Sequence, residues 1–176
     1  MSLNDLESNS KGIPKAPFIE NISQFLQQQE SPDSILMKFR EMLSKYRFME
    51  THTLQRIQAL QAKIPELQKS IEILQYLQHN QDQVDGCELS FELEETLYCR
   101  AKIPQHSHQT AYIWLGANVM VEYPVQEALS LLQEKATSCD QLIGSLEDDK
   151  LFLREQMTTI EVNIARLYNW TVQNKA

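Results

Sequence analysis

The sequence is poor in the residues that build tight turns. It has 4 Gly and 6 Pro in 176 residues, too few for the glycine-rich loops of a Rossmann-type fold or the many turns of a β-sandwich. Its 3 Cys are odd in number, and no two of them have CxxC spacing, so neither a disulfide framework nor a structural zinc site is indicated. These absences favour long helices.

Positive charge is also scarce. Lys and Arg number 16 against 24 Asp and Glu, for a net charge of −8, and phosphate binding requires a basic surface. The sequence has no run of 18 apolar residues, the length that spans a membrane, and its start lacks the basic and apolar stretches of a secretory signal. We therefore expect a cytoplasmic chain with no nucleic-acid and no membrane partner.

A helical pattern begins sharply at residue 31. Ser31 is a favourable N-cap, and Pro32 suits the first helical position because its missing N–H would be unpaired there anyway. Apolar residues then recur at steps of three and four from Phe39 to Leu74. This periodicity predicts a helix over 31–84.

A second helical pattern is longer and more regular. From Val125 to Thr171 the apolar positions step by four and three without a break, and a repeat of 3.5 residues keeps one seam facing a partner helix. The pattern predicts a coiled-coil helix over 124–172. Positions that we expect to be buried in its seam include Leu132, Cys139, Ile143, Leu146, Leu153, Met157, Ile160 and Ile164.

Between the helices the apolar period changes to two. Leu89, Phe91 and Leu93 alternate with polar residues, and similar short alternating runs recur up to Tyr123. Short alternating runs separated by turn residues predict four strands in two β-hairpins. The predicted fold class is therefore mainly α with a small β part, a long antiparallel coiled coil joined by two β-hairpins.

The predicted organisation has a flexible N-terminal tail and one folded domain. The tail shows no sustained period, although its stretch 12–20 is apolar enough to dock on another surface. The expected divisions are tail 1–30 and domain 31–176, the latter made of helix 31–84, hairpins 87–123 and helix 124–172.

Several strands of the hairpins are apolar on both faces, which four short strands cannot cover by themselves. Exposed strand edges and faces invite pairing with other chains, so we expect the hairpins to join an intersubunit β-barrel. A closed small sheet folded onto the coil is the alternative. The expected interface residues are Tyr112, Ile113, Trp114, Leu115, Val119, Val121 and Tyr123.

The opposite end of the predicted coil is basic. Residues 31–50 and 150–176 hold 8 basic and 5 acidic residues, or +3, within a chain of −8. Apolar groups ringed by positive charge suit an acidic, non-native protein client, whereas ordinary helix ends with scattered apolar residues are the alternative. The candidate client-binding residues are Ile35, Leu36, Lys38, Phe39, Arg40, Tyr168 and Trp170.

No catalytic pattern is present. The sequence has no nucleotide-binding loop, no GxSxG and no HExxH, and His106 and His108 lack a third and fourth metal ligand nearby. We therefore expect neither an enzyme nor a cofactor. A coiled-coil scaffold or tethering protein is the alternative to a client-binding protein, but that reading gives no reason for two-sided hairpins.

Several stretches of the sequence resemble the eukaryotic alpha-class subunits of the prefoldin family. Coiled coil, two β-hairpins and coiled coil is the organisation of such a subunit. The matching stretches are Trp114–Tyr123 in the second hairpin, Leu97–Ala101 in the first, Lys45–Glu50 and Ile64–Glu66 in the first helix, Ala165–Trp170 in the second, and Gly12–Pro14 in the tail.

This resemblance implies a function that the residue patterns alone do not. Prefoldin is a hexameric cytosolic chaperone of two alpha-class and four beta-class subunits, whose hairpins form a β-barrel platform carrying six coiled coils. The resemblance implies that the coil tips hold unfolded actin and tubulin and pass them to the cytosolic chaperonin without ATP.

Overall fold

The chain is mainly helical and carries two β-hairpins. The structure, a computed structural model, describes residues 8, 11–27, 31–80, 86–104 and 109–175. The predicted fold class of long helices joined by two hairpins is confirmed, while positions 81–84 of the first predicted helix lie outside the described residues. Within those residues the elements are α1 (Ile22–Gln27), α2 (Pro32–His79), β1 (Glu88–Glu94), β2 (Leu97–Lys102), β3 (Thr110–Gly116), β4 (Val119–Pro124) and α3 (Val125–Lys175).

Helix α2 begins at the position that its capping residues favour. Pro32 is the first helical residue, and the backbone amides of Ser34 and Ile35 donate to the Ser31 carbonyl oxygen at 3.0 and 3.3 Å. The helix continues through Pro65, which cannot donate a backbone hydrogen bond. No helix of the described residues is long and apolar enough to cross a membrane.

The first of two compact units comprises residues 1–59 and 143–176. Here α2 and α3 run antiparallel, because Arg47 Nη2 lies 3.0 Å from Glu161 Oε1 and, further along α2, Glu50 Oε1 lies 2.7 Å from Arg154 Nε. The buried core residues of this unit are Ile19, Ile35, Leu36, Phe39, Tyr46, Leu153, Ile160 and Leu167.

Part of the predicted tail lies within this first unit. Ile19 is buried in the same cluster as Phe39 and Leu167, and Ile13, Ala16 and the α1 side chains pack against that cluster. The domain division at residue 30 therefore differs from the structure, in which the segment 11–27 contributes to the core. An extended segment has no helical or strand period of its own, and its partners are distant in sequence, so a local pattern does not detect its packing.

The second unit comprises Leu60–Leu142 and contains both hairpins. Each hairpin is a two-stranded antiparallel sheet, β1 with β2 and β3 with β4. The β3–β4 turn places Ala117 and Asn118 at φ of 50° and 60°, the positive values that tight hairpin turns require. The buried core of this unit consists of Leu74, Val125, Ala128, Leu129 and Leu132.

Candidate functional site

The first hairpin presents an uncovered apolar face. In its register Leu89 lies opposite Ala101 and Phe91 lies opposite Cys99, so these four residues share one face of the pleated ladder. Leu89 and Phe91 are exposed, as are Leu93 and Leu97. Contiguous apolar surface of this kind marks an interaction site.

The second hairpin has one covered and one open face. Ala111 and Ile113 of β3, with Tyr123 of β4, pack against the core of their own unit. The opposite face carries Tyr112 paired with Glu122 and Trp114 paired with Met120. Trp114 remains 55 % exposed and Tyr112 66 % exposed, so the open face offers two aromatic side chains, the type that dominates protein interfaces.

The predicted interface residues therefore divide into two groups. Tyr112, Trp114, Leu115 and Val119 are exposed, whereas Ile113 and Tyr123 are half-buried against the unit's own core, and Val121 is also half-buried. Alternation accounts for Tyr112 and Trp114 on one face and Ile113 on the other, because successive residues point to opposite faces. Leu115 and Val119 are exposed beside the turn, where the register shifts between Trp114 and Gly116. Sequence reasoning assigned no interface residue to the first hairpin, although the alternation of Leu89, Phe91 and Leu93 is the signal that indicates one.

An apolar groove lies beside the open face of the second hairpin. It runs between β3 and the helix segments of the same unit, and its bottom is closed by the buried Leu74 and Leu132. Ile73 and Leu142 on its walls are exposed. Together with Trp114, they extend the apolar surface of the hairpin onto the helices.

The predicted tip residues are not all accessible. Ile35, Leu36 and Phe39 are buried in the core of the first unit, where Ile19 and Leu167 belong to the same cluster. These three positions are part of the packing between segments, since they continue the apolar seam of α2 toward its start. In this arrangement of the chain they are core residues, and their contact with a client stays a prediction.

The other four predicted tip residues remain at the surface to different degrees. Lys38 and Arg40 are exposed, and Tyr168 is 58 % exposed. Trp170 is half-buried, and its Nε1 donates to the Ser23 hydroxyl oxygen at 3.2 Å.

A stripe of polar side chains on α3 holds the segment 11–27. Its members, Asp149, Gln156, Asn163 and Trp170, are separated by seven residues each and so share one side of the helix. Lys11 Nζ lies 2.6 Å from Asp149 Oδ2, and the Ala16 backbone N–H donates to Gln156 Oε1 at 2.8 Å.

The centre of the stripe is Asn163, which is buried. Its Nδ2 donates to the Pro17 carbonyl oxygen at 2.6 Å, and its Oδ1 accepts from the Ile19 backbone N–H at 3.4 Å. The Arg166 guanidinium donates to the carbonyl oxygens of Ile19 and Glu20. We name the four heptad-spaced residues together with Arg166 the α3 stripe. The sequence analysis did not identify the α3 stripe, although its four heptad-spaced residues are each adjacent in sequence to a position of the apolar seam.

The predicted seam positions contribute unequally to the cores of the two units. Leu146, Leu153 and Ile160 are buried in the first unit, and Leu132 is buried in the second. Cys139, Ile143, Met157 and Ile164 are half-buried. The seam therefore lies on the packed side of α3.

Two ionisable groups near the tip have shifted pKa values. Burial raises the pKa of the Tyr46 phenol above its ordinary value of 10.0, and the phenol donates to the Pro14 carbonyl oxygen at 2.8 Å. The Lys45 ammonium, through its hydrogen bond and charge, lowers the pKa of the exposed Glu41 carboxyl. Tyr46 therefore binds the docked segment in its neutral form.

The described part of the chain contains no group of three or more His, Cys, Asp or Glu side chains that could hold a metal ion. His106 and His108, the pair considered from the sequence, lie outside the described residues.

Comparison with known proteins identifies the family. The family model described as "Prefoldin subunit" matches residues 46–170. Prefoldin subunit 3 of Mus musculus is 41 % identical over 166 residues, which cover 93 % of this chain and 84 % of the mouse protein. Prefoldin subunit 3 of Saccharomyces cerevisiae is 41 % identical over 179 residues, which cover 98 % and 90 % of the two chains.

A solved structure is also similar. A chain of the filamentous PFD from Methanocaldococcus jannaschii, determined by cryo-EM, has a TM-score of 0.47 and 18 % sequence identity over 74 % of this chain and 98 % of that chain. The assignment rests on the family model and the two relatives, which confirm the resemblance found in the sequence. The chain belongs to the prefoldin family, and is a chaperone subunit rather than an enzyme.

Proposed function

We propose that this chain is an alpha-class subunit of a hexamer with two alpha-class and four beta-class prefoldin subunits, working in the cytoplasm. The observation that carries this proposal is the uncovered apolar surface of both hairpins, above all Trp114 and Tyr112 on one and Phe91 on the other. Burial of apolar surface contributes about 25 cal/mol per Å². Strands from neighbouring subunits that completed a β-barrel would cover these faces and stabilise the assembly.

We propose further that the first unit captures unfolded actin and tubulin and that the complex passes them to the cytosolic chaperonin without ATP. The exposed side chains of Tyr168 and Met37 supply apolar contact, and exposed Arg40 supplies positive charge. Apolar contact retains a non-native chain, and positive charge increases the rate at which acidic chains arrive. Nucleotide hydrolysis has no part in such a capture step.

The test begins with assembly. The chain is produced together with the other prefoldin subunits of its own organism, and native mass spectrometry determines the composition of the complex. A hexamer with two alpha-class subunits, one of them this chain, supports the proposal. A complex of any other composition, or a self-associating chain without partners, contradicts the assembly part of it.

Client capture is tested on the same complex. Actin or tubulin is diluted from denaturant, and light scattering follows its aggregation with and without the complex in the absence of ATP. Suppressed aggregation and release of the client only when chaperonin is added support the proposal. Formation of the hexamer without any delay of aggregation would instead favour the scaffold function.

A further inference from the structure

The α3 stripe holds its occupant mainly by the backbone. Gln156 and Asn163 bind the N–H groups of Ala16 and Ile19, and Asn163 also binds the Pro17 carbonyl oxygen. Arg166 binds two further carbonyl oxygens. Because every residue offers these backbone groups, except for the N–H of proline, such contacts do not depend on the sequence of the bound segment.

The spacing of the stripe fits an extended chain. Seven residues of α3, from Gln156 to Asn163, span about 10.5 Å at 1.5 Å per residue. The residues that they bind, Ala16 and Ile19, are three apart in sequence, and three residues of polyproline-type or fully extended chain span roughly 9–11 Å. One heptad step therefore matches one three-residue step of an extended peptide.

The apolar contacts follow the same three-residue step. Ile13, Ala16 and Ile19 pack against the core of the unit, and Ile19 is buried in it. The side chain of Phe18 is exposed, with the Arg166 guanidinium 5.9 Å from its ring. An occupant thus needs an extended backbone and a small or branched apolar residue at every third position. Unfolded polypeptides offer such segments, whereas folded proteins bury them.

We propose that the α3 stripe is a binding site for extended apolar segments of unfolded polypeptides and that residues 13–20 occupy it until a client segment replaces them. The proposal rests on the client capture proposed above and assigns a site to it. When the form with an empty stripe makes up only about 0.1–10 % of the molecules, the apparent affinity for an external segment is the intrinsic affinity multiplied by that fraction. Release of the chain's own segment should therefore increase that affinity roughly 10- to 1,000-fold.

The experiment uses the assembled complex and a fluorescent peptide that copies residues 11–24. Peptide affinity is measured by fluorescence anisotropy for the unmodified complex and for Ile19→Asp, which places a charge in the core position of the docked segment and so should release it. Gln24→Asp, at an exposed side chain of the same segment, is the matched control. We expect tighter binding by Ile19→Asp and unchanged binding by the control. Equal affinity for the unmodified and Ile19→Asp complexes would overturn the proposal.

Backbone recognition is tested on the peptide itself. Methylation of the backbone nitrogens corresponding to Ala16 and Ile19 removes the N–H groups that donate to Gln156 and Asn163. It should weaken binding to the Ile19→Asp complex at least 10-fold. A peptide methylated at the Phe18 nitrogen is the control. Adding Asn163→Leu to Ile19→Asp should abolish the gain in affinity, and Asn169→Leu, at an exposed position of the same helix, should preserve it. Equal binding of all peptides would exclude a backbone-reading site.

Hydrogen exchange separates this proposal from the proposed function. In the unmodified complex, addition of unfolded actin should accelerate exchange at the Ala16 and Ile19 amides, because the client displaces the segment. Suppressed actin aggregation with unchanged exchange at these amides would overturn the α3 stripe as the client site and leave client capture intact. Peptide binding as expected, but without any effect on actin aggregation, would support the site and contradict client capture.

Discussion

Asn163 of α3 donates a hydrogen bond of 2.6 Å to the carbonyl oxygen of Pro17, which lies 146 residues earlier in the chain. The side chain is buried, with 1 % of its surface exposed, so an unpaired amide there would cost free energy. This hydrogen bond holds the N-terminal segment against α3. The core of the first unit is therefore formed by three chain segments, residues 11–27, α2 and α3.

Removal of a core side chain should destabilise the first unit. Leu153 has 0 % of its surface exposed, and Leu153→Ala should lower the free energy of unfolding by about 2–5 kcal/mol. Leu151→Ala, at a position 60 % exposed, is the control and should change it by less than about 0.5 kcal/mol. Thermal melting followed by circular dichroism measures both, and equal effects would mean that Leu153 does not pack between the helices.

A charge on the open face of the second hairpin should prevent assembly. Trp114→Asp would place a carboxylate in the proposed intersubunit interface, and burial of an unpaired charge is strongly unfavourable. Size-exclusion chromatography should show loss of the complex, while the helical circular dichroism stays unchanged. Ser90→Asp, on the polar face of the first hairpin opposite Arg100, should assemble normally. An intact complex with Trp114→Asp would place that face outside the interface.

Alkaline pH should weaken the docking of the N-terminal segment. Burial raises the pKa of Tyr46 in the folded chain, so its contribution to stability is fully present below pH 10 and is lost as the pH rises through the folded pKa. Tyr46→Phe should cost about 0.5–1.5 kcal/mol at pH 8 through the lost hydrogen bond to Pro14. Urea unfolding across this range should show the difference between the two chains shrinking above pH 10. The exposed Tyr168→Phe is the control, and a constant difference for Tyr46→Phe would refute the prediction.

Positive charge at the tip should control the arrival of clients. Reversal of Lys38 and Arg40 to Glu should slow the association of a labelled unfolded acidic client, measured by stopped flow, with little change in its dissociation rate. Reversal of Arg56 and Lys69, exposed cations outside this region, makes the same change in net charge and is the control. Salt should remove the difference, since the Debye length falls from about 10 Å at 0.1 M to about 3 Å at 1 M. Equal slowing by both double variants would assign the effect to net charge.

The turn of the second hairpin should respond oppositely to two small substitutions. Ala117 has φ of 50°, a region that costs an L-residue roughly 1–2 kcal/mol, so Ala117→Gly should be tolerated or stabilising by up to about 1 kcal/mol. Gly116 has φ of 97°, and Gly116→Ala should destabilise the hairpin although no atom lies within 4 Å of the added carbon. Hydrogen exchange of the β3 and β4 amides measures both, and identical protection in the two variants would argue against backbone strain as the cause.

Local patterns were sufficient to predict the two long helices and the four strands, but not the short helix α1, which lies in the predicted tail. The four-three steps of α3 and the alternation around Phe91 each depend on residues a few positions apart, so each pattern is complete within a short stretch of sequence. The same patterns could not assign the faces. Ile113 and Trp114 are adjacent and both apolar, and only the packing of β3 onto its helices shows that Ile113 points inward and Trp114 outward.

The sequence by itself determined the two long helices, the hairpins and the family, because each is encoded in short-range periodicity or in local stretches of residues. Only the tertiary structure decided that the N-terminal segment packs onto α3 and that Ile35 and Phe39 are enclosed rather than available. Those outcomes depend on pairs such as Asn163 and Pro17, 146 residues apart. An extended segment held by its backbone has no helical or strand period of its own, and its position emerges only when the distant partner is in place.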